Sequence, residues 1–190
     1  MKYYVILLSL VCMAVMSCEK IQPVAAENYL DKFEFHGPNA VPNVSITMED
    51  VERHIVGYGW ESVAIYEIDH KKNVEAEIEI RDELPIGGGG STLRSQFEVK
   101  GFGDDQLIEY GLVEGRYQKL SFSFDEKNST IALSACWYIG HNGKLAYLTN
   151  DTMVCVSSMM SDIHMVVFRK VSQSKVKRWR EQCPKPGLWI

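Results

Sequence analysis

The 190-residue chain lacks most of the short motifs that announce a chemistry. It contains no Gly-x-Ser-x-Gly, no His-x-x-x-His and no Cys-x-x-Cys. The first absence removes the nucleophile elbow of serine hydrolases, and the other two remove the usual zinc spacings. Five scattered histidines, His36, His54, His70, His141 and His164, are therefore read as solvated or singly hydrogen-bonded. Basic excess is missing too: the formal charge is −5, which argues against a nucleic-acid surface. Internal repeats and low-complexity tracts are absent. No run of about 20 apolar residues exists, so a retained membrane-spanning helix is not expected. One glycine-rich stretch, Ile86 to Leu93, has no lysine after its glycines and leads into an alternating strand where a phosphate loop needs a helix. It is read as a loop able to act as a lid. The carboxylate row Glu75, Glu77 and Glu79 fits the solvated face of a strand. No enzyme, metal or cofactor is expected from this inventory.

What the chain does have begins at its N-terminus. Lys2 precedes an apolar run from Tyr3 to Met16, broken only by Ser9, with the length of a signal-peptide core. Val15-Met16-Ser17-Cys18 resembles the lipobox of bacterial lipoproteins, which implies cleavage before Cys18 and acylation of its thiol. Cys18 is thus the expected lipid-attachment residue, and the cell envelope, with the outer membrane favoured, the expected location. Residues 1–17 are read as signal peptide and 18–47 as a proline-containing tether. A barrel domain is assigned to 48–172 and a basic tail to 173–190.

"TMEDVERHI" predicts a short helix capped by Thr47, with acids in its first turn. After Gly57 the apolar period becomes two. One face of the first strand carries Trp60, Ser62, Ala64, Tyr66 and Ile68; Val74 to Ile80 alternate with glutamates. The pattern returns at Leu93 to Val99, Leu120 to Phe124, Ile131 to Ile139, "DTMVCVSS" and "IHMVVFRKV". Turn signals separate these runs. Strands in series without intervening helices predict an all-β fold, an up-and-down antiparallel barrel of about eight strands or a sandwich.

"VERHIVGYGWESVAIYEID" resembles the helix, glycine and tryptophan that open the first strand of lipocalin-like proteins. "GRYQKLSFSFDEKNSTIALSA", "LAYLTNDTMVCVSS" and "MVVFRKV" are similar to the closing strands of the small lipocalin-like lipoproteins of the Bacteroidetes. The resemblance covers roughly Val51 to Val171 and implies a lipid-anchored barrel with an apolar ligand in its mouth. Asp151-Thr152-Met153 resembles the acceptor of Bacteroidetes protein O-glycosylation.

By parity, Tyr66, Phe97 and Trp137 are the expected ligand-binding residues, with Tyr66 and Ser95 as polar groups inside; Trp60 is assigned to closed-end stability. Cys136 and Cys155 are expected as unbridged apolar fillers, separated by an intervening strand. The tail "RKVSQSKVKRWR" reads either as a contact for anionic headgroups or as a segment docked by Trp179. Two functions remain open: an envelope binding protein holding a small apolar ligand, or a protein-interaction subunit or inhibitor with a filled barrel. The expected partners are the membrane, through the lipid, and one of these two.

Overall fold

The structure is a computed structural model describing residues 33–36, 39–42, 46–69, 74–83, 91–159 and 162–187. The signal segment, Cys18 and the Gly87 to Gly90 run lie outside the described residues. Within the stretch read as tether, strands β1 (Phe33–His36) and β2 (Asn39–Pro42) pair as an antiparallel hairpin, and β2 passes β11 (Gly140–Leu148) and β12 (Thr152–Met159).

Helix α1 (Met48–His54) follows. Thr47 and Asp50 form a reciprocal capping box, and the Met48 amide donates to Glu126 at 2.9 Å. The barrel proper then begins with β3 (Gly59–Ile68). Its remaining strands are β4 (Val74–Glu77), β5 (Glu79–Arg81), β6 (Ser91–Leu93), β7 (Gln96–Val99), β8 (Gly103–Gly111), β9 (Arg116–Asp125), β10 (Thr130–Leu133), β11, β12 and β13 (Asp162–Val171). Eight of them close a ring, β3-β7-β8-β9-β10-β11-β12-β13 and back to β3, every pair antiparallel. Closure leaves no free edge around the ring. The all-β barrel read from the period of two is thus the fold, with one departure. β3 pairs with β7 through Gly59 to Glu61 and with β4 through Tyr66 to Ile68, and β5 runs parallel to β6. The wall forks there.

A bulge explains why parity fails along β3. Val167 pairs with Ala64 but Phe168 pairs with Ser62, so Val63 is extra and the faces exchange across it. Trp60 and Ile65 enter the interior cluster with Phe97, Phe122, Leu133 and Phe168, whereas Ala64, Tyr66 and Ile68 join a second cluster with Val154, Met165 and Val167. At the closed end Trp60 is fully buried, and its indole N–H donates to the Ile55 carbonyl at 3.5 Å. Lys170 lies 3.5 Å from the Tyr58 ring centroid and 5.5 Å from that of Trp60.

The basic tail is a helix, α2 (Gln173–Gln182), capped by Ser172. It is followed by β14 (Lys185–Pro186), which pairs parallel to β9. Trp179 is buried against Tyr110, ring centroids 5.7 Å apart, with Val176, Val171 and Cys183 around it. Gly59 permits this approach: a Cβ there would overlap the Val176 side chain and sit 2.9 Å from Val171. Two buried carboxylates hold the helix from beneath. Lys175 donates to both oxygens of Glu61 at 2.7 and 2.6 Å, and Arg180 to Glu98, which also accepts from Lys100 and from the Tyr110 hydroxyl. Burial pushes the Glu98 carboxyl up, but the hydrogen bonds and charges of Lys100 and Arg180 together hold it below its ordinary 4.5. That support is present above about pH 4.5 and is lost as pH falls through the lowered value. Docking by Trp179 is the arrangement found for the tail, with two of its cations paired to the barrel.

Cys136, Cys155 and Cys183 are buried and unbridged. Burial pushes the Cys136 thiol up to about 11 and raises those of Cys155 and Cys183, so all three are poor nucleophiles at neutral pH. The placement of Cys136 differs from expectation: β10 ends at Leu133, and Cys136 lies in the turn before β11. Thr152 is also buried; its hydroxyl donates to Asp151 and accepts from Arg169 at 2.7 Å, so the acceptor-like triplet does not present it to solvent.

Candidate functional site

The barrel is filled at one end and hollow at the other. Near α1 the interior holds Trp60, Phe97, Phe122 and Phe168, all buried, with Phe97 edge-on to Phe168 at 5.5 Å. Toward the opposite end the inward positions become polar, and a cavity of about 190 Å³ opens between β5, β6, β7, β8 and the turn 134–139. Its lining includes Ser95, Arg94, Glu109, Trp137 and Tyr138. That volume is below the ~300–1,000 Å³ usual for drug-sized ligands, yet roughly 150 Å³ suffices for benzene.

The turn 134–139 makes the roof. Backbone bonds from Cys136 to Leu133 and from Gly140 to Cys136 fold it inward, so Ala135, Cys136 and Ile139 join the core. Gly143 on β11 lies beneath it, where a Cβ would overlap Ile139. The Ser157 hydroxyl donates to the Tyr138 carbonyl, and the Tyr138 ring lies 4.9 Å from that of His164. Trp137 is left at the tip, 73% exposed. The apolar alternation from Ile131 to Ile139 thus continues past the end of β10 into a turn, which buries Ala135, Cys136 and Ile139 and leaves Trp137 outside.

Glu109 is the chemically distinctive group. Leu107 on β8 belongs to the interior core, so Glu109 shares the inward face, while Ile108 and Tyr110 face α2. Across the ladder it pairs with Gln118 of β9, whose amide donates to its carboxylate. Burial pushes the Glu109 carboxyl up to about 7; the Gln118 hydrogen bond opposes the shift and the charge of Glu114 adds to it. The folded state therefore gains stability as pH falls from about 7 toward 4.5, and loses that contribution as pH rises through about 7. Arg94 seals the fork in the wall. Its guanidinium donates to Asp82 at 2.6 Å and to the Ser62 carbonyl at 2.8 Å, while the Ser95 amide donates to the Ser62 hydroxyl at 2.9 Å.

Of the three residues expected at a ligand, Trp137 lines the cavity, at its mouth rather than deep inside. Phe97 lies in the filled half. Tyr66 lies on the opposite face of β3 from Ile65, so the structure does not bring the three together. Ser95 does line the cavity. Glu109 escaped sequence reasoning because "QLIEYG" shows no alternation: one face of β8 is covered by the interior and the other by α2, so apolar residues fall on both. The available signal was the bracketing of that run by Gly103 and Gly111.

A wider groove of about 440 Å³ lies outside the wall beside α2. Its charges are paired as Lys175 with Glu61 and Arg94 with Asp82, Arg178 apart. Among the described residues no cluster of three or more potential metal ligands occurs, and no helix is long and apolar enough to cross a membrane. Comparison with family models, with curated proteins and with solved structures finds no match to the chain.

Proposed function

We propose that this is a lipid-anchored envelope binding protein that holds one small molecule in the open end of its barrel and performs no catalysis. The observation that carries the reading is the cavity of about 190 Å³ at the open end of an otherwise filled interior. A packed barrel has no such space, whereas this one has room for a ligand of single-ring size. Its walls combine Trp137 and Tyr138 with Ser95, Arg94 and Glu109, so the ligand has an apolar body and a polar group. Burying about 200 Å² of apolar ligand surface at roughly 25 cal/mol per Å² supplies about 5 kcal/mol before association costs, which places affinity in the weak to micromolar range unless the polar contacts add to it. The resemblance to lipocalin-like lipoproteins supports the same reading by analogy of fold, and the lipobox-like Val15-Met16-Ser17-Cys18 supports the anchor.

Titration of the purified protein with a fluorescent apolar probe is expected to saturate, and Trp137→Ala to weaken binding about tenfold while the melting temperature stays unchanged. Absence of saturation would sink this reading. It would favour the second one, contact with a protein partner, for which the 73% exposure of Trp137 and the neighbouring exposed Val113 speak. The anchor has its own test. Protein extracted from membranes is expected to begin at Cys18 and carry acyl mass; a mature chain starting downstream without that mass would refute the lipid.

A further inference from the structure

We propose that the cavity selects a small organic cation, a protonated amine on a ring-sized apolar body, with the Glu109 carboxylate as its counter-ion. This rests on the binding reading above and names the ligand class for the same cavity.

Glu109 stands on the inward face of β8, and among the described residues its hydrogen-bond donor is the Gln118 amide. An ionised carboxylate offers about four acceptor positions, so one amide leaves most of them unused. The guanidiniums nearby are committed elsewhere. Arg94 is bound to Asp82 and to the Ser62 carbonyl, and Arg81 to Glu79 at 2.7 Å. Glu114 lines the same cavity and adds a second negative charge close enough to act on Glu109. On β9, Lys119 belongs to the outward set and lies 4.0 Å from Asp105, and Arg116, two residues from Gln118 on the same face of the strand, is exposed and does not line the cavity. The cavity therefore presents carboxylates that outnumber its guanidiniums, and the guanidiniums have partners.

Three ligand classes can be compared against that field. An anion meets Glu109 and Glu114 with Arg94 already engaged. A neutral apolar ligand removes remaining water from Glu109 and offers it nothing in return, a cost of the kind paid whenever a polar group is buried unpaired. An ammonium supplies both charge and donors where the local dielectric makes them strongest. The rings of Trp137 and Tyr138 add to the same choice, because aromatic faces attract cations as well as apolar carbon. Because burial pushes the Glu109 carboxyl up to about 7, capture of an ammonium, which favours the ionised form, lowers it again and releases protons to the buffer near neutral pH.

Calorimetric titration of the full mature chain with 2-phenylethylamine, 2-phenylethanol and 3-phenylpropionate tests this. The amine is expected to bind at least tenfold more tightly than the alcohol, with the carboxylate weakest, and its apparent enthalpy at pH 7 to vary with the ionisation enthalpy of the buffer. Glu109→Gln is expected to bring amine and alcohol to equal affinity, while melts at pH 8 show a variant at least as stable as the parent. Equal binding of amine and alcohol to the parent overturns the cation assignment but leaves the binding reading standing. So does a preference that survives Glu109→Gln, or tightest binding of the carboxylate. Failure of all three probes to saturate overturns both.

Discussion

Replacing Trp179 by alanine is expected to destabilise the protein by about 3–5 kcal/mol, because it removes a large buried ring from a site that cannot collapse. At roughly 2–4 °C per kcal/mol for a domain of this size, the melting temperature should fall by about 6–20 °C. The ring contributes twice: it packs against Tyr110, and it fixes the depth at which α2 lies on Gly59. Without it, the helix keeps the Lys175–Glu61 and Arg180–Glu98 contacts, but both cations are partly exposed and hold two side chains rather than a helix. Limited proteolysis should then cut after Ser172, within the released helix, well below the melting temperature. A variant that melts within about 2 °C of the parent and resists proteolysis would show that α2 is not docked in solution.

Trp60→Ala is the second large effect, again about 3–5 kcal/mol, read as a fall in the denaturant midpoint with the slope unchanged. Trp60 lies at the floor of the barrel, between Phe97, its ladder partner on β7, and the ring of contacts made by α1. Its loss also takes from Lys170 one of the two rings it rests beside. Trp60→Phe should recover most of the stability, since the indole bond to Ile55 is long at 3.5 Å and contributes little. Equal losses for alanine and phenylalanine would mean that the N–H rather than the ring supports the floor. Ligand binding at the open end is expected to persist in the phenylalanine variant, since the cavity lining does not include position 60.

The barrel was legible in the sequence because strands such as β9 and β10 bury one face and alternate, while β3, β12 and β13, buried on both faces, still stand out as short apolar runs between turn signals. α1 was legible through Thr47 and the acids behind it. The site was less so, for three physical reasons. The extra residue Val63 moves Tyr66 to the opposite side of the sheet from the one its spacing predicts. The inward fold of 134–139 buries Ala135, Cys136 and Ile139, so the apolar spacing there belongs to a turn and not to a strand, and Trp137 is placed at the rim. β8 is covered on both faces, one by the interior and one by α2, and shows no rhythm at all; Glu109 is hidden in it. Each failure occurs where a strand departs from the simple barrel, and two of the three border the cavity. Trp60 was read as a stability residue, and its complete burial at the closed end agrees with that.

The pairing of β13 with β3 has a kinetic side. Ile163 meets Ile68 and Val171 meets Gly59, so the contact that closes the ring joins nearly the first and nearly the last strands of the domain. Most other ring neighbours are joined by short turns and assemble locally, but this one must await the whole chain, and α2, which rests on β3, β7 and β8, waits with it. Contacts of such sequence separation are the slow ones in folding, with all-β topologies typically requiring milliseconds to seconds. During that interval β3 offers an apolar strand with an unpaired edge, the species most prone to pair with another copy. A chain emerging in order from N- to C-terminus cannot lock its barrel until residue 171 is available, and so it remains unclosed for as long as that residue has yet to emerge.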